Sequence, residues 1–137
     1  MGLILDSSIV VAAERRGATV AAMLRQIVAA TGDQRAVLSA VGLTELAHGI
    51  YRAPTAEARN RRDAFLHELL NDLDVYPYNK ETALLAGQID GEQQSRGVTI
   101  PFADLLIGAT VLHVGYSLLT VNVRHFQMIP GLTVIPL

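Results

Sequence analysis

Short apolar runs alternate along the chain with longer segments in which apolar residues recur every three or four positions. The short runs predict buried strands, and the longer segments predict amphipathic helices. The predicted strands cover residues 2–5, 36–39, 74–78, 117–121 and 134–137, and the predicted helices cover residues 18–30, 43–51, 56–73, 81–95 and 101–114, after a first helix that begins at Ile9. Because strands alternate with helices, we expect a three-layer α/β/α sandwich with a central parallel sheet.

The last long predicted helix is apolar on nearly every side, and yet it carries a carboxylate. Pro101 suits the first turn of a helix, since its fixed φ is helical and its missing N–H has no partner to lose there. Asp104 follows in that first turn, ahead of a run of Leu, Ile, Ala and Val residues. A helix that is apolar all round is expected to be buried. An acid on such a helix requires a reason, which makes Asp104 the first candidate functional residue.

Further polar side chains occur where a parallel α/β fold binds ligands. Asp6 directly follows the first strand, and the carboxyl ends of parallel strands form the functional edge of such folds. The simpler alternative is that Asp6 only caps a helix. Glu45 lies on the helix over residues 43–51, and its simpler alternative is a solvent-facing position. Thr120 and Asn122 lie at the end of the fourth strand, so these side chains and Asp104 can converge at one edge.

Three carboxylates that converged at one edge would repel each other unless a cation lay between them. Each pair at about 5 Å costs roughly 3 kcal/mol at an effective dielectric constant near 20. Oxygen ligands select hard divalent ions, so we expect Mg²⁺, or alternatively Mn²⁺, at Asp6, Glu45 and Asp104. Such ions activate water for attack on phosphodiester bonds. The acids therefore predict a metal-dependent nuclease.

Composition narrows the class of protein further. The 137 residues include no cysteine, carry a net charge of −2 and are 50% hydrophobic. This length fits one domain over residues 1–137, and the lack of cysteine excludes disulfides and thiolate zinc sites. The net charge argues against bulk electrostatic binding of nucleic acid. With no signal peptide or membrane span recognisable in the sequence, we expect a cytoplasmic protein that does not bind membranes.

The four histidines have no spacing typical of a zinc hydrolase. His113, on the apolar helix, is predicted to be a satisfied core residue. His125 is predicted to be a packing or loop-capping residue.

Four segments of the chain occur in an order that is typical of one family. They are LILDSSIVVAA at the N-terminus, LSAVGLTELAHGI in the middle, and IPFADLLIGATVLHVGYSLLTVNVRHF followed by IPGLTVIPL toward the C-terminus. Together they resemble a PIN domain, specifically a VapC-type toxin of a bacterial toxin–antitoxin pair. The resemblance implies an α/β/α sandwich and Mg²⁺-dependent cleavage of RNA. It also implies a VapB-type antitoxin whose C-terminal segment lies in a groove of the toxin, and toxin homodimers within a larger complex.

The matched motifs also imply residue roles. They imply that three acids bind the metal ion, namely Asp6, Glu45 and Asp104. They also imply that the polar residues Ser8 and Thr120 support this site. Asn122 lies where this family often has a fourth acid. Because Asn122 is neutral, we expect a second metal ion to enter mainly together with RNA. In a net-acidic nuclease, selectivity for RNA is expected from local arginines such as Arg124.

Two further expectations concern binding rather than catalysis. The high apolar fraction favours a partner protein, and some side chains of the first two helices are expected to form an antitoxin groove or a dimer face, among them Ile9, Val10, Val11, Met23 and Ile27. The alternative function is a catalytically silent PIN-like binding module. The presence of all three acids argues against that alternative, because idle buried carboxylates reduce stability.

Overall fold

A single parallel sheet organises the molecule, which a computed structural model describes over all residues 1–137. The strands are β1 (Gly2–Leu5), β2 (Arg35–Ser39), β3 (Val75–Tyr76), β4 (Ser117–Thr120) and β5 (Val134–Pro136). Their order in the sheet is β3-β2-β1-β4-β5, and every neighbouring pair is parallel. The order reverses between β1 and β4, and the crevice at such a reversal is where open α/β sheets bind ligands.

Helices cover both faces of the sheet, which confirms the predicted α/β/α sandwich. They are α1 (Ser7–Arg15), α2 (Val20–Thr31), α3 (Ala40–Tyr51), α4 (Ala56–Asp72), α5 (Lys80–Ser95), α6 (Phe102–Val114) and α7 (Val123–Phe126). Successive residues of β1 alternate between the two faces, as expected for a strand. Leu3 and Leu5 join the core formed with α1 to α4, and Ile4 joins the core formed with α5, α6 and α7. No helix of the protein is both long and apolar enough to span a membrane.

Local chemistry explains where several helices begin. α3 starts at Ala40, earlier than predicted, because the Ser39 hydroxyl accepts a hydrogen bond from the Gly42 N–H at 3.0 Å and caps the helix. α6 starts at Phe102, so Pro101 lies just before the helix rather than inside its first turn. α1 starts at Ser7 instead of Ile9. The predicted third strand is reduced to two residues, and α7 was not predicted because four residues are too few to show a helical period.

Helix α6 is buried along most of its length, as predicted. Leu105, Ile107 and Val111 are all nearly inaccessible to solvent. Gly115 ends the helix in the left-handed conformation, with a φ of 74°. The prediction for His113 is wrong, because its side chain is exposed on the final turn of α6. An apolar sequence around a residue does not reveal that the end of its helix emerges from the core.

The predicted groove residues of the first two helices are mostly core residues. Ile9, Val10, Met23 and Ile27 are each at most 3% exposed, since α1 and α2 pack on β1, α3 and α4. Val11 is partly exposed. The expectation of a free apolar face is therefore wrong for Ile9, Met23 and Ile27.

Candidate active site

Asp6 lies at the carboxyl end of β1 and is only 2% exposed. Its backbone N–H donates to the Leu119 carbonyl at 2.9 Å, which continues the β1–β4 ladder. Its Oδ2 accepts hydrogen bonds from the Ser8 hydroxyl at 2.6 Å and from the Thr120 hydroxyl at 2.7 Å. Asp6 also occupies the position before α1, but its side chain makes no capping hydrogen bond. The simple capping role is therefore excluded, and the buried carboxylate is oriented by hydroxyl groups instead.

The turn between β4 and α7 is tied to the same hydroxyl groups. The Asn122 N–H donates to Thr120 Oγ1 at 2.9 Å, and the Val121 N–H donates to Ser8 Oγ at 3.2 Å. Ser8 and Thr120 are thus neighbours of Asp6, where the resemblance put them. Asn122 contributes its backbone to this network, and its side chain is exposed at the edge of the site. Thr120, Val121 and Asn122 each take part in this hydrogen-bond network, which connects the end of β4 to Asp6.

Glu45 reaches the site from α3. Its Oε1 accepts a hydrogen bond from the Ser7 hydroxyl at 2.9 Å, which joins α3 to the start of α1. Burial raises the pKa of Glu45 above its usual value, the Ser7 hydrogen bond lowers it, and the charges of Asp6 and Asp104 raise it further. The simpler solvent-facing alternative is therefore wrong. Glu45 is close enough to the two aspartates to be repelled by them.

Asp104 reaches the site from the first turn of α6, with its side chain 14% exposed. Its Oδ2 lies 2.9 Å from Nδ1 of His125 on α7. Burial raises the pKa of Asp104, the hydrogen bond from His125 lowers it, and the charge of Asp6 raises it again. The prediction that His125 only packs or caps a loop is wrong, because its ring contacts the Asp104 carboxylate. The one feature of the sequence that could have pointed to His125 is its position three residues after the candidate residue Asn122.

The three carboxylates share one feature that fits a metal ion. Each has one oxygen held by a protein donor, whereas Asp6 Oδ1, Glu45 Oε2 and Asp104 Oδ1 accept no hydrogen bond from the protein. In this structure, no three or more His, Cys, Asp or Glu side chains lie close enough together to hold a metal ion. Mg²⁺ keeps several waters and is usually bound through one or two carboxylates, so an all-oxygen set of this kind fits a hydrated hard ion.

A cavity of about 110 Å³ lies between α1, α3 and α4 and has Glu45 in its lining, and we call it the α1–α3–α4 groove. Its lining is half apolar and includes Val10, Val11, Leu46, Phe65 and Leu66, together with charged residues at its rim and Glu45. Arg62 is fixed at this rim, because its Nη1 donates to the Gly49 carbonyl at 2.7 Å. Since Glu45 belongs to both the groove and the carboxylate site, an occupant of one can influence the other.

Arg124 is an exposed residue of α7, next to His125. It takes part in no ion pair within the protein. Its guanidinium therefore keeps all its donors for a partner such as phosphate.

Comparison with known proteins defines the class first. The family profile described as the PIN domain matches residues 3–131, which is nearly the whole chain. The chain is 33% identical to Ribonuclease VapC1 of Rickettsia felis and 31% identical to Ribonuclease VapC of Rickettsia bellii, in each case over 98% of this chain and 96% of the relative. It is also 30% identical to the tRNA(fMet)-specific endonuclease VapC of Salmonella typhimurium, over 73% of this chain and 74% of that one.

Solved structures have the same fold. VapBC2 from Rickettsia felis bound to a DNA fragment from its promoter aligns with a TM-score of 0.85 at 20% identity, covering 100% of this chain and 99% of that one. DNA-bound VapBC from Salmonella typhimurium aligns with a TM-score of 0.83 at 23% identity, covering 99% and 98%.

The chain therefore belongs to the PIN-domain family and, within it, to the VapC ribonucleases. It is a ribonuclease of the VapC class. PIN-domain VapC nucleases are generally dependent on a divalent metal.

Proposed function

We propose that this protein is a Mg²⁺-dependent endoribonuclease whose cleavage of RNA inhibits translation and growth, with Asp6, Glu45 and Asp104 as the metal-binding acids. One observation carries the assignment of the site. Asp6, Glu45 and Asp104 come from β1, α3 and α6 and are close enough for their charges to act on one another, and each has one oxygen bonded to a protein donor and one oxygen without a protein partner. Side chains that orient metal-binding groups in this way are typical of metal sites in enzymes.

Each residue of the site has a physical task in this reaction. Ser8 and Thr120 hold Asp6 in one orientation, and Ser7 holds Glu45. Asp6, Glu45 and Asp104 would hold the divalent ion, which would supply positive charge beside the phosphodiester and lower the pKa of a bound water. Mn²⁺ can replace Mg²⁺, because both ions prefer oxygen ligands. Arg124 stands free to contact an RNA phosphate.

Asn122 gives the site a neutral amide at its edge, with an exposed side chain. Three carboxylates do not fully neutralise two divalent ions, so entry of a second ion mainly with RNA stays a prediction. Metal titration of the wild type and Asn122→Asp, with and without a non-cleavable RNA, tests it. Equal occupancy of two sites in the wild type without RNA would refute it.

Glu45→Gln tests the role of the carboxylates, since it removes one charge and keeps the shape of the side chain. We expect RNA cleavage to fall by about 100-fold or more, because losing a ligand should cost at least as much as losing a partner of a ligand, for which the upper end is about 100-fold. Glu92→Gln is the matched control, because Glu92 is exposed on α5 and its carboxylate accepts a hydrogen bond only from Gln88. Wild-type cleavage of RNA by Glu45→Gln would show that Glu45 is not part of the catalytic site.

We also propose that a VapB-type antitoxin neutralises the enzyme by laying its C-terminal segment in the α1–α3–α4 groove. The groove supports this with its apolar lining and with Glu45, which it shares with the active site. Two of the structures with the same fold are VapBC complexes. Val11→Arg should weaken binding of the antitoxin encoded beside this gene by at least tenfold, measured by calorimetry. Val28→Arg, at an exposed position of α2 outside the groove, is the control, and equal affinities of both variants would exclude the groove.

Two features of the proposal concern the partners of the folded domain. Phe102 and Leu84 are 72% and 69% exposed and lie outside the groove, which supports a homodimer within the toxin–antitoxin complex. Sedimentation of the purified chain tests this, and a monomer at all concentrations would contradict it.

The name of the Salmonella relative makes tRNA(fMet) the first RNA to test.

A further inference from the structure

His125 is the one histidine that reaches the carboxylate site. Its Nδ1 lies 2.9 Å from Oδ2 of Asp104, and this is the only hydrogen bond that the Asp104 side chain makes with the protein. The contact connects two elements, α6 and α7. By contrast, Nδ1 of His67 contacts Asp63 within the same helix α4, and His113 is exposed at the end of α6. The contact of His125 is therefore not a general property of histidines in this chain.

We infer that His125 is a positioning residue that holds Asp104 in the orientation needed for metal binding, an inference that rests on the function proposed above. Its Nδ1–H donates to Oδ2, which leaves Oδ1 without a protein partner and available to the ion. Without this donor, the carboxylate could rotate about two side-chain bonds, and binding the ion would have to pay the entropy of fixing it. His125 forms a hydrogen bond with one carboxylate oxygen of Asp104, as Ser7 does with one carboxylate oxygen of Glu45.

The backbone around His125 is fixed well enough to carry this role. The next residue, Phe126, is fully buried in the core beside α6. At the other end of α7, the Asn122 N–H is bonded to Thr120 Oγ1, and Thr120 also donates to Asp6. One short segment, residues 120–126, therefore holds Asp6 through Thr120 and Asp104 through His125.

The test replaces His125 with residues that keep, move or remove the donor. His125→Asn keeps an N–H close to the place of Nδ1, His125→Gln moves it outward, and His125→Leu removes it. We expect His125→Leu and His125→Gln to bind Mn²⁺ about 10 to 100 times more weakly, the usual effect of losing a partner of a metal ligand. His125→Asn should bind within a few-fold of the wild type. Mn²⁺ affinity is measured by electron paramagnetic resonance, without RNA.

Two further readouts separate positioning from a merely structural role. The thermal midpoint without metal should be alike in the three His125 variants, and kcat should fall in His125→Leu with little change in KM. His113→Leu, which alters an exposed histidine of α6, is the control and should match the wild type.

The outcomes distinguish this inference from the function it rests on. Wild-type affinity in His125→Leu, or equal losses in His125→Asn and His125→Leu, would overturn the inference alone, provided that the wild type binds Mn²⁺ and cleaves RNA. A wild type that cleaves RNA without any divalent metal, or binds none, would overturn both.

Discussion

In the proposed function, the charge of Asp104 would serve metal binding at a cost in stability. Burial and the charge of Asp6 raise its pKa, so the folded protein keeps this proton to a higher pH than the unfolded chain does. The free energy of unfolding therefore falls as the pH rises from the ordinary carboxyl pKa through the raised one, and the loss is complete above the raised pKa. The same reasoning holds for Glu45, whose pKa is also raised.

Asp104→Asn should consequently stabilise the metal-free protein near neutral pH while abolishing RNA cleavage. The amide removes the buried charge and can still accept the hydrogen bond from His125. We expect the thermal midpoint in EDTA to rise by a few degrees, and the difference from the wild type to vanish at low pH, where Asp104 is protonated. Calorimetry over a pH series measures both effects. A lower midpoint for the variant would mark Asp104 as a structural residue.

At the scale of single residues, sequence position pointed to the candidate acids but not to the side chains that form hydrogen bonds with them. Asp6 and Asp104 were recognisable because one follows an apolar strand and the other interrupts an apolar helix. The roles of Ser7 and His125 were missed, since a hydrogen bond between separate elements depends on how those elements pack. His125 in particular lies on α7, which is too short to leave a periodic pattern.

At the scale of elements, the site depends on how the ends of β1 and β4 are joined. Thr120 is fully buried, donates to Asp6 and accepts from the Asn122 N–H, so one hydroxyl connects β1 with the turn that leads to α7. The register of the two strands, with Leu5 opposite Leu119, brings these groups together.

Thr120→Val tests this junction, because valine has nearly the same shape and lacks the hydroxyl. It removes a hydrogen bond to a carboxylate and leaves the Asn122 N–H without its partner, so we expect a loss of about 2 kcal/mol in the free energy of unfolding. Urea unfolding measures the loss. Thr44→Val is the control, since the Thr44 hydroxyl bonds only to a carbonyl one turn earlier on the exposed side of α3. Equal stabilities of the two variants would show that the junction contributes nothing.

The elements themselves were largely predictable from periodicity. All five strands and six of the seven helices correspond to predicted ones, because buried strands and amphipathic helices impose different periods on the sequence. The errors lie at the ends, as for α3, where the Ser39 cap rather than the apolar pattern decides the first residue.

At the scale of the whole molecule, the proposed metal site would link metal binding to folding. The acids come from β1, α3 and α6, so the unfolded chain has no such site, and an ion that binds it stabilises the fold. At 100 times its dissociation constant, an ion that binds only the folded state adds about 2.7 kcal/mol. We expect Mg²⁺ to raise the thermal midpoint of the wild type, and to do so more strongly as the pH rises and the acids lose their protons. An equal rise in Asp104→Asn would contradict binding at this site.

The sheet order explains why these distant segments meet. Asp6, Glu45 and Asp104 are far apart in the chain, and the reversal between β1 and β4 gathers them with the β4 end at one edge. The sequence pattern predicted a parallel sheet but not its strand order. The convergence of the polar side chains at one edge was expected from their places at strand ends and helix starts, whereas the strand order could not be derived from periodicity.

Cleavage of RNA by the purified protein tests the central claim most directly. Total cellular RNA and tRNA(fMet) are incubated with the wild type and Asp104→Asn in Mg²⁺, Mn²⁺ or EDTA, and the new ends are sequenced. We expect discrete cuts by the wild type with either metal, and none in EDTA or with the variant. Cuts that persist in EDTA or in Asp104→Asn, or no cuts at all, would contradict a metal-dependent nuclease at these carboxylates and favour a binding module instead.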